Sequence, residues 1–135
     1  MSTTDGFSIT PVDKEKEEGG VWTTYFGVEL LIGRANTDAF RKLFSKLSRP
    51  FLTQRGIESY EQIPQQDQID IMVETISKTL LLDWKKTKRF NHDFSVETAA
   101  RMLEVDPDCR VFISEFANNL ANYYSDEEEA IQEKQ

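Results

Sequence analysis

One cysteine, Cys109, and one histidine, His92, stand in a chain of 135 residues. A lone cysteine excludes an internal disulfide, and with a single histidine beside it neither a Cys/His zinc site nor a Cys/His nucleophile pair can be assembled elsewhere in the chain. A free thiol fits a reducing compartment. No apolar run approaches the roughly 20 residues that a membrane-spanning helix needs, and Met1-Ser2-Thr3-Thr4-Asp5 has no basic stretch leading into an apolar one. The expected location is therefore cytoplasmic, with no membrane partner. Cations are in short supply as well: 16 Lys and Arg against 24 Asp and Glu leave a net charge of −8. Such a surface repels a phosphate backbone and argues against a nucleic-acid partner. Walker loops, Gly-x-Ser-x-Gly elbows and His-Glu-x-x-His helices are absent, and Glu127-Glu128-Glu129 lacks the alternating ligands and glycine of a calcium loop. No catalytic, cofactor-binding or metal-binding residue is assigned, and the expectation is a protein that is not an enzyme and needs no cofactor.

The residues that are present point to a folded chain. Hydrophobic residues make up 39% and aromatics 11%, nine of them Phe, which excludes wholesale disorder. A chain of this length buries roughly two-thirds of its unfolded surface. The expected class is α+β, mainly α, with an N-terminal β-hairpin packed on a bundle of about four helices. Residues 1–20, with the charge run Asp13-Lys14-Glu15-Lys16-Glu17-Glu18 and then Gly19-Gly20, read as a flexible arm, in which Phe7 and Ile9 alternate as a brief edge strand. Residues 21–124 read as one globular domain.

Within it, the β-branched and aromatic residues of 21–34 crowd around Gly27 as a hairpin. Val28, Leu30 and Ile32 share its buried face. Asn36 is the expected cap of a helix over about 37–49, where Ala39, Phe40, Leu43, Phe44 and Leu47 recur at helical spacing and Arg49-Pro50 ends the run. Arg41, Lys42, Lys46 and Arg49 form a solvated basic strip on its other face. A short turn is expected near 57–60. A second long helix spans about 65–83 with the stripe Ile69, Met72, Val73, Ile76 and Leu80; Ile71, Leu81 and Leu82 fall off that stripe. Trp84 closes it. The basic loop Lys85-Lys86-Thr87-Lys88-Arg89 leads to Ser95, the cap of a helix over about 95–104. Asp106-Pro107 then starts a last helix over about 107–124, and 125–135 is an acidic tail.

A helix that is apolar on more than one side is covered on more than one side. Aromatic stripes at helical spacing are usually core, and the surplus beyond one core is what marks a binding surface. The candidate partner-binding residues are accordingly Trp22, Tyr25, Phe26, Ile71, Leu81, Trp84, Phe112, Phe116, Tyr123 and Tyr124. Trp84 and Phe90 beside the lysines of the 85–92 loop also admit a base-stacking reading. The small electrostatic footprint of that loop weighs against it.

The order of elements resembles that of the tail assembly chaperones of long, flexible-tailed bacteriophages. The resemblance rests on Val21-Trp22-Thr23-Thr24-Tyr25, Leu30-Leu31-Ile32-Gly33-Arg34-Ala35-Asn36, Ala39-Phe40-Arg41, Leu81-Leu82-Asp83-Trp84, Phe94-Ser95-Val96-Glu97-Thr98-Ala99 and Ala117-Asn118-Asn119-Leu120, and covers residues 5 to about 130. The loop 85–89 departs from it, being basic where acid and glycine are expected. The resemblance implies a non-enzymatic factor that coats and solubilises the tape-measure protein in the infected host's cytoplasm and is absent from the finished virion. It also implies self-association, and recruitment of tail tube protein through a longer frameshifted form that departs near Gln135. A structural tail-completion or connector subunit is the alternative reading, and an acidic nucleic-acid mimic a third.

Overall fold

The computed structural model describes residues 3–4, 6–8, 11–54 and 56–125. Thr3–Thr4 (β1) pairs antiparallel with Phe7–Ser8 (β2), and Gly6 at φ 83° makes the turn. Ile9, the other half of the expected edge strand, lies outside the described residues, as does the acidic tail beyond Ser125. Asp13 caps a short helix, Lys14–Gly19 (α1), its carboxylate accepting from the Glu15 N–H at 2.9 Å. Residues 11–20 correct the expectation of a flexible arm. The Asp13 N–H donates to the Tyr123 carbonyl at 2.9 Å, Val12 bridges to Tyr124, and Arg34 pairs with Glu17. The segment has little to bury, yet its polar groups find partners at the far end of the chain.

Val21–Tyr25 (β3) and Val28–Ile32 (β4) form the expected hairpin. Its two-residue turn sets both Phe26 (φ 45°) and Gly27 (φ 83°) in the left-handed region, the geometry that matches strand twist. Val28, Leu30 and Ile32 are buried on one face, as the alternation predicts. The following helix, Asp38–Arg49 (α2), is capped by Thr37 and not by Asn36: the Thr37 hydroxyl accepts from the Phe40 N–H, while the side chain of Asn36 accepts from Arg41. A π-turn, Pro50–Gln54, and a 3-10 turn, Tyr60–Gln62, lead to Gln65–Thr75 (α3).

The expected helix over 65–83 is the main correction. Beyond α3 the chain makes a π-turn, Ile76–Leu80, and Leu81–Trp84 (β5) is a strand paired antiparallel to β4, with Leu30 opposite Trp84 and Leu31 opposite Asp83. Strand pairing overrides the helical preference of the leucines, because a hairpin alone is marginal and a third strand completes a sheet in the order β3-β4-β5. Ser95 caps Val96–Val105 (α4) through a reciprocal capping box with Thr98. Asp106 alone joins α4 to Pro107–Asn118 (α5): its N–H donates to the Met102 carbonyl and its carboxylate accepts from the Cys109 N–H. The last helix stops short of 124. Asn119 leaves helical geometry and its side chain accepts from Ala121, starting a 3-10 turn, Leu120–Tyr123. The architecture is α+β and mainly α, with the hairpin leading and the helices following. Its core gathers Leu30, Ile32, Ile76, Leu80, Leu81, Leu103 and Ile113 between sheet and helices.

Two glycines separate conformational from packing constraint. Gly27 meets nothing within 4 Å, whereas a Cβ on Gly20 would stand 2.9 Å from Leu31 Cγ and 3.0 Å from Leu82 Cδ1. Gly20 also holds φ 86° and ψ 169°, a region essentially reserved for glycine. Gly27→Ala is expected to cost about 1–2 kcal/mol, the left-handed penalty alone. Gly20→Ala is expected to cost roughly twice that, since overpacking is added. Urea unfolding midpoints measure both, and equal midpoints would show that Leu31 and Leu82 do not press on this turn.

Candidate functional site

A groove of about 400 Å³ lies between α3 and α5, and none of the ten residues proposed from the sequence lines it. The α3 side contributes Gln65, Gln68, Ile69 and Met72, with Ile76 at the base; the α5 side contributes Arg110, Val111, Ser114 and Glu115. These α3 residues recur at three and four, so one flank of its apolar stripe faces the core and the other faces the groove. Ile69 and Met72 are half-buried, and Val111 is 55% exposed. Tyr60 forms the end wall. Its hydroxyl donates to the Gln68 carbonyl at 3.3 Å, its ring lies 5.2 Å from that of Phe44, and the Gln68 amide donates to the Ile63 carbonyl at 2.7 Å. The opposite wall is fixed by Arg110, whose guanidinium donates to the Leu103 and Glu104 carbonyls at the end of α4. The result is a braced trough in which the apolar Ile69, Met72, Ile76 and Val111 are interleaved with polar side chains, a form that a helix-in-groove site can take.

Of the ten residues proposed from the sequence, Tyr25, Ile71, Leu81, Trp84 and Tyr123 are buried, and of these Trp84 shows a small edge to a concavity. Each has a structural reason. The Tyr25 hydroxyl hydrogen-bonds Asp106 at 3.3 Å, and its ring packs on Phe112 at 5.0 Å. Leu81 falls off the helical stripe because the chain leaves the α-helix at the π-turn, and it joins the core from β5; Ile71 lies within α3 and is buried there. Trp84 Nε1–H donates to the His92 carbonyl at 2.8 Å, and Phe90 and Phe94 meet its ring edge-on. The Tyr123 hydroxyl donates to the Ile32 carbonyl at 3.1 Å and so ties the end of the chain to β4. Phe112, Phe116 and Tyr124 are half-buried. Trp22 and Phe26 stay outside, at 43% and 73% exposure.

Val111 and Val105, the latter 81% exposed, were missed by the sequence reading. Both lie off the helical stripes, so periodicity did not mark them. Tyr60 was missed because its loop had no periodicity to read.

The basic loop holds the hairpin. Lys85 pairs with Glu29 at 3.1 Å and sits over the Trp22 ring at 5.1 Å, Lys86 pairs with Asp93, and Arg89 lies over Tyr25 and Phe26. Among the described residues no group of three or more His, Cys, Asp or Glu side chains is placed to hold a metal ion, and no helix is long and apolar enough to cross a membrane.

Cys109 is fully buried beneath the first turn of α5. Burial, aided by the Asp106 carboxylate and opposed by Arg89, pushes its thiol from the ordinary 9.0 to about 12. Burial also raises Tyr25, again with Asp106 contributing. The native thiol should therefore resist alkylation at pH 8 and react only as fast as the chain opens. Because the folded value lies above the unfolded one, this stability is whole below pH 9 and is lost as pH rises from 9.0 towards about 12. Cys109→Ala should flatten part of that loss, and the tyrosines that burial also raises, Tyr25, Tyr60 and Tyr123, should keep the rest. Denaturation midpoints across this range would refute the assignment if wild type and variant fall in parallel.

The model of a family described as YdaY prophage protein matches residues 35–134. No curated protein and no solved structure gives a significant match.

Proposed function

We propose, from the premise that this chain belongs to the YdaY prophage protein family and is phage-derived, that it is a tail assembly chaperone. On this reading it binds and solubilises the tape-measure protein in the host cytoplasm, helps recruit tail tube subunits, performs no catalysis and leaves before the virion is complete. The observation that carries the reading is the groove between α3 and α5, where Ile69, Met72 and Val111 keep apolar surface open to solvent. From Gln65 to Ile76 the trough runs along about 17 Å of helix axis, room for roughly three turns of a client helix. A long amphipathic helix exposes continuous apolar surface that aggregates unless covered. Two or three side chains inserted into one such groove give weak binding once association costs are met. Copies acting in series along one client hold it strongly and still permit displacement one at a time. A net charge of −8 keeps the coated assembly dispersed.

Co-expression with the tape-measure protein is expected to move that client from the insoluble to the soluble fraction. The double variant Met72→Asp/Val111→Asp, which places charge in the groove, should reduce the soluble share by about tenfold while its own circular dichroism stays that of the wild type. Equal client solubility with and without the chain would overturn the reading. So would its stoichiometric presence in purified particles, which is the outcome a tail-completion or connector subunit requires.

A further inference from the structure

A second concavity, of about 450 Å³, lies where the 85–94 loop meets α4. Its floor is apolar: the rings of Trp84 and Phe90 meet edge-on with centroids 5.2 Å apart, and Met102 lies beside them. Val105 stands at the edge. The rim carries two exposed guanidiniums, Arg89 and Arg101. Neither has a carboxylate within ion-pair distance among the described residues. Arg89 is held 5.6 Å from the Tyr25 ring centroid and 5.1 Å from that of Phe26; aromatic faces orient a cation without neutralising it. Asp106, the one acid on this rim, already accepts from the Tyr25 hydroxyl and the Cys109 N–H. An acidic protein thus sets two guanidiniums without carboxylate partners, against one carboxylate, around an apolar pocket.

We propose that this pocket docks an acidic peptide segment of a partner protein. The segment inserts one bulky apolar side chain against Trp84, Phe90 and Met102 and sets flanking carboxylates on Arg89 and Arg101. Charge complementarity selects this occupant. A basic segment is repelled by the rim, and a guanidinium pairs a carboxylate through parallel N–H donors. The inference is independent of the groove between α3 and α5, which lies on other faces of the helices and involves other residues.

Trp22→Phe leaves Trp84 as the single tryptophan, so its fluorescence reports the pocket floor. The probes are an acetylated and amidated Asp-Glu-Phe-Leu-Asp-Glu peptide and its charge-reversed Lys-Lys-Phe-Leu-Lys-Lys counterpart. The acidic probe is expected to change Trp84 emission saturably, with affinity that falls as salt is added, and the basic probe to leave it unchanged. Arg101→Gln, which disturbs no contact inside the fold, should weaken the acidic probe by several-fold, and Arg89→Gln/Arg101→Gln by on the order of tenfold, with unchanged circular dichroism. Equal binding of both probes, or undiminished binding to Arg101→Gln, overturns the proposal. Preferential binding of a single-stranded oligonucleotide overturns it as well.

Discussion

The pairing of β5 with β4 is the constraint on which the other parts of this structure depend. Strand β4 carries Leu30 and Ile32 at the centre of the core, and a two-stranded hairpin cannot hold such residues dry by itself. Adding Leu81–Trp84 gives β4 a hydrogen-bonded neighbour on each side. That pairing requires the chain to leave helical geometry at Leu80, and the π-turn Ile76–Leu80 makes the exit. The wider turn brings Ile76, Ser77 and Leu80 all inside. The Ser77 hydroxyl and that of nearby Thr75 donate to carbonyls of their own helix, at 3.2 Å to Glu74 and 2.7 Å to Ile71, which satisfies polar groups that have lost water.

Once β5 is a strand, the loop after it has to cross the open end of the sheet. Lys85 continues the register, its N–H donating to the Glu29 carbonyl at 3.1 Å. Arg89 then reaches the hairpin tip, while Trp84 and Phe94 bring the two ends of the loop together. Each exposed ion pair or cation–π contact contributes little alone, about 0.5–1 kcal/mol at an accessible site. Together they set one orientation for a hairpin whose tip, Phe26, has few other contacts. The same crossing shapes the pocket under Trp84 and Phe90, so pocket and hairpin tip are products of one strand pairing.

Much of the architecture was legible from residue pattern, because local chemistry and tertiary structure agree there. The glycine-centred hairpin, the alternation of Val28, Leu30 and Ile32, the Ser95 cap and the Asp106-Pro107 restart all depend on neighbours within a few residues. The Leu80-Leu81-Leu82 run misled because a continuous apolar run carries no periodicity of its own, and helix and buried strand look alike in it. Only a distant partner, β4, decides the matter. The candidate site was less legible: five of the ten proposed residues are buried, and none of the ten lines the groove between α3 and α5. Aromatic size marked those as important without telling inside from outside. The groove is instead lined by Tyr60, Ile69, Met72 and Val111, residues of ordinary size whose significance comes from what lies opposite them. The asparagines near the end of α5 have a plain role: Asn118 donates to the Ser114 carbonyl and Asn122 to that of Phe116, and with Asn119 they turn the helix end back towards the sheet.

The separation of the exposed apolar residues carries the functional argument further than their number does. Phe26, Val105 and Val111 lie on different elements: the hairpin turn, α4 and α5. Surfaces divided in this way do not join into one large sticky patch, which for a chain of charge −8 favours dispersion over self-aggregation. An assembly built through them needs a partner that brings its own apolar groups to a groove of matching shape. A long repetitive client would satisfy that requirement many times over, and a compact globular partner only once. Weak sites that gain strength from repetition are also the ones that a competing surface can clear in sequence. On the proposed chaperone reading the groove gives temporary cover, whereas a permanent joint needs a larger and more continuous apolar interface.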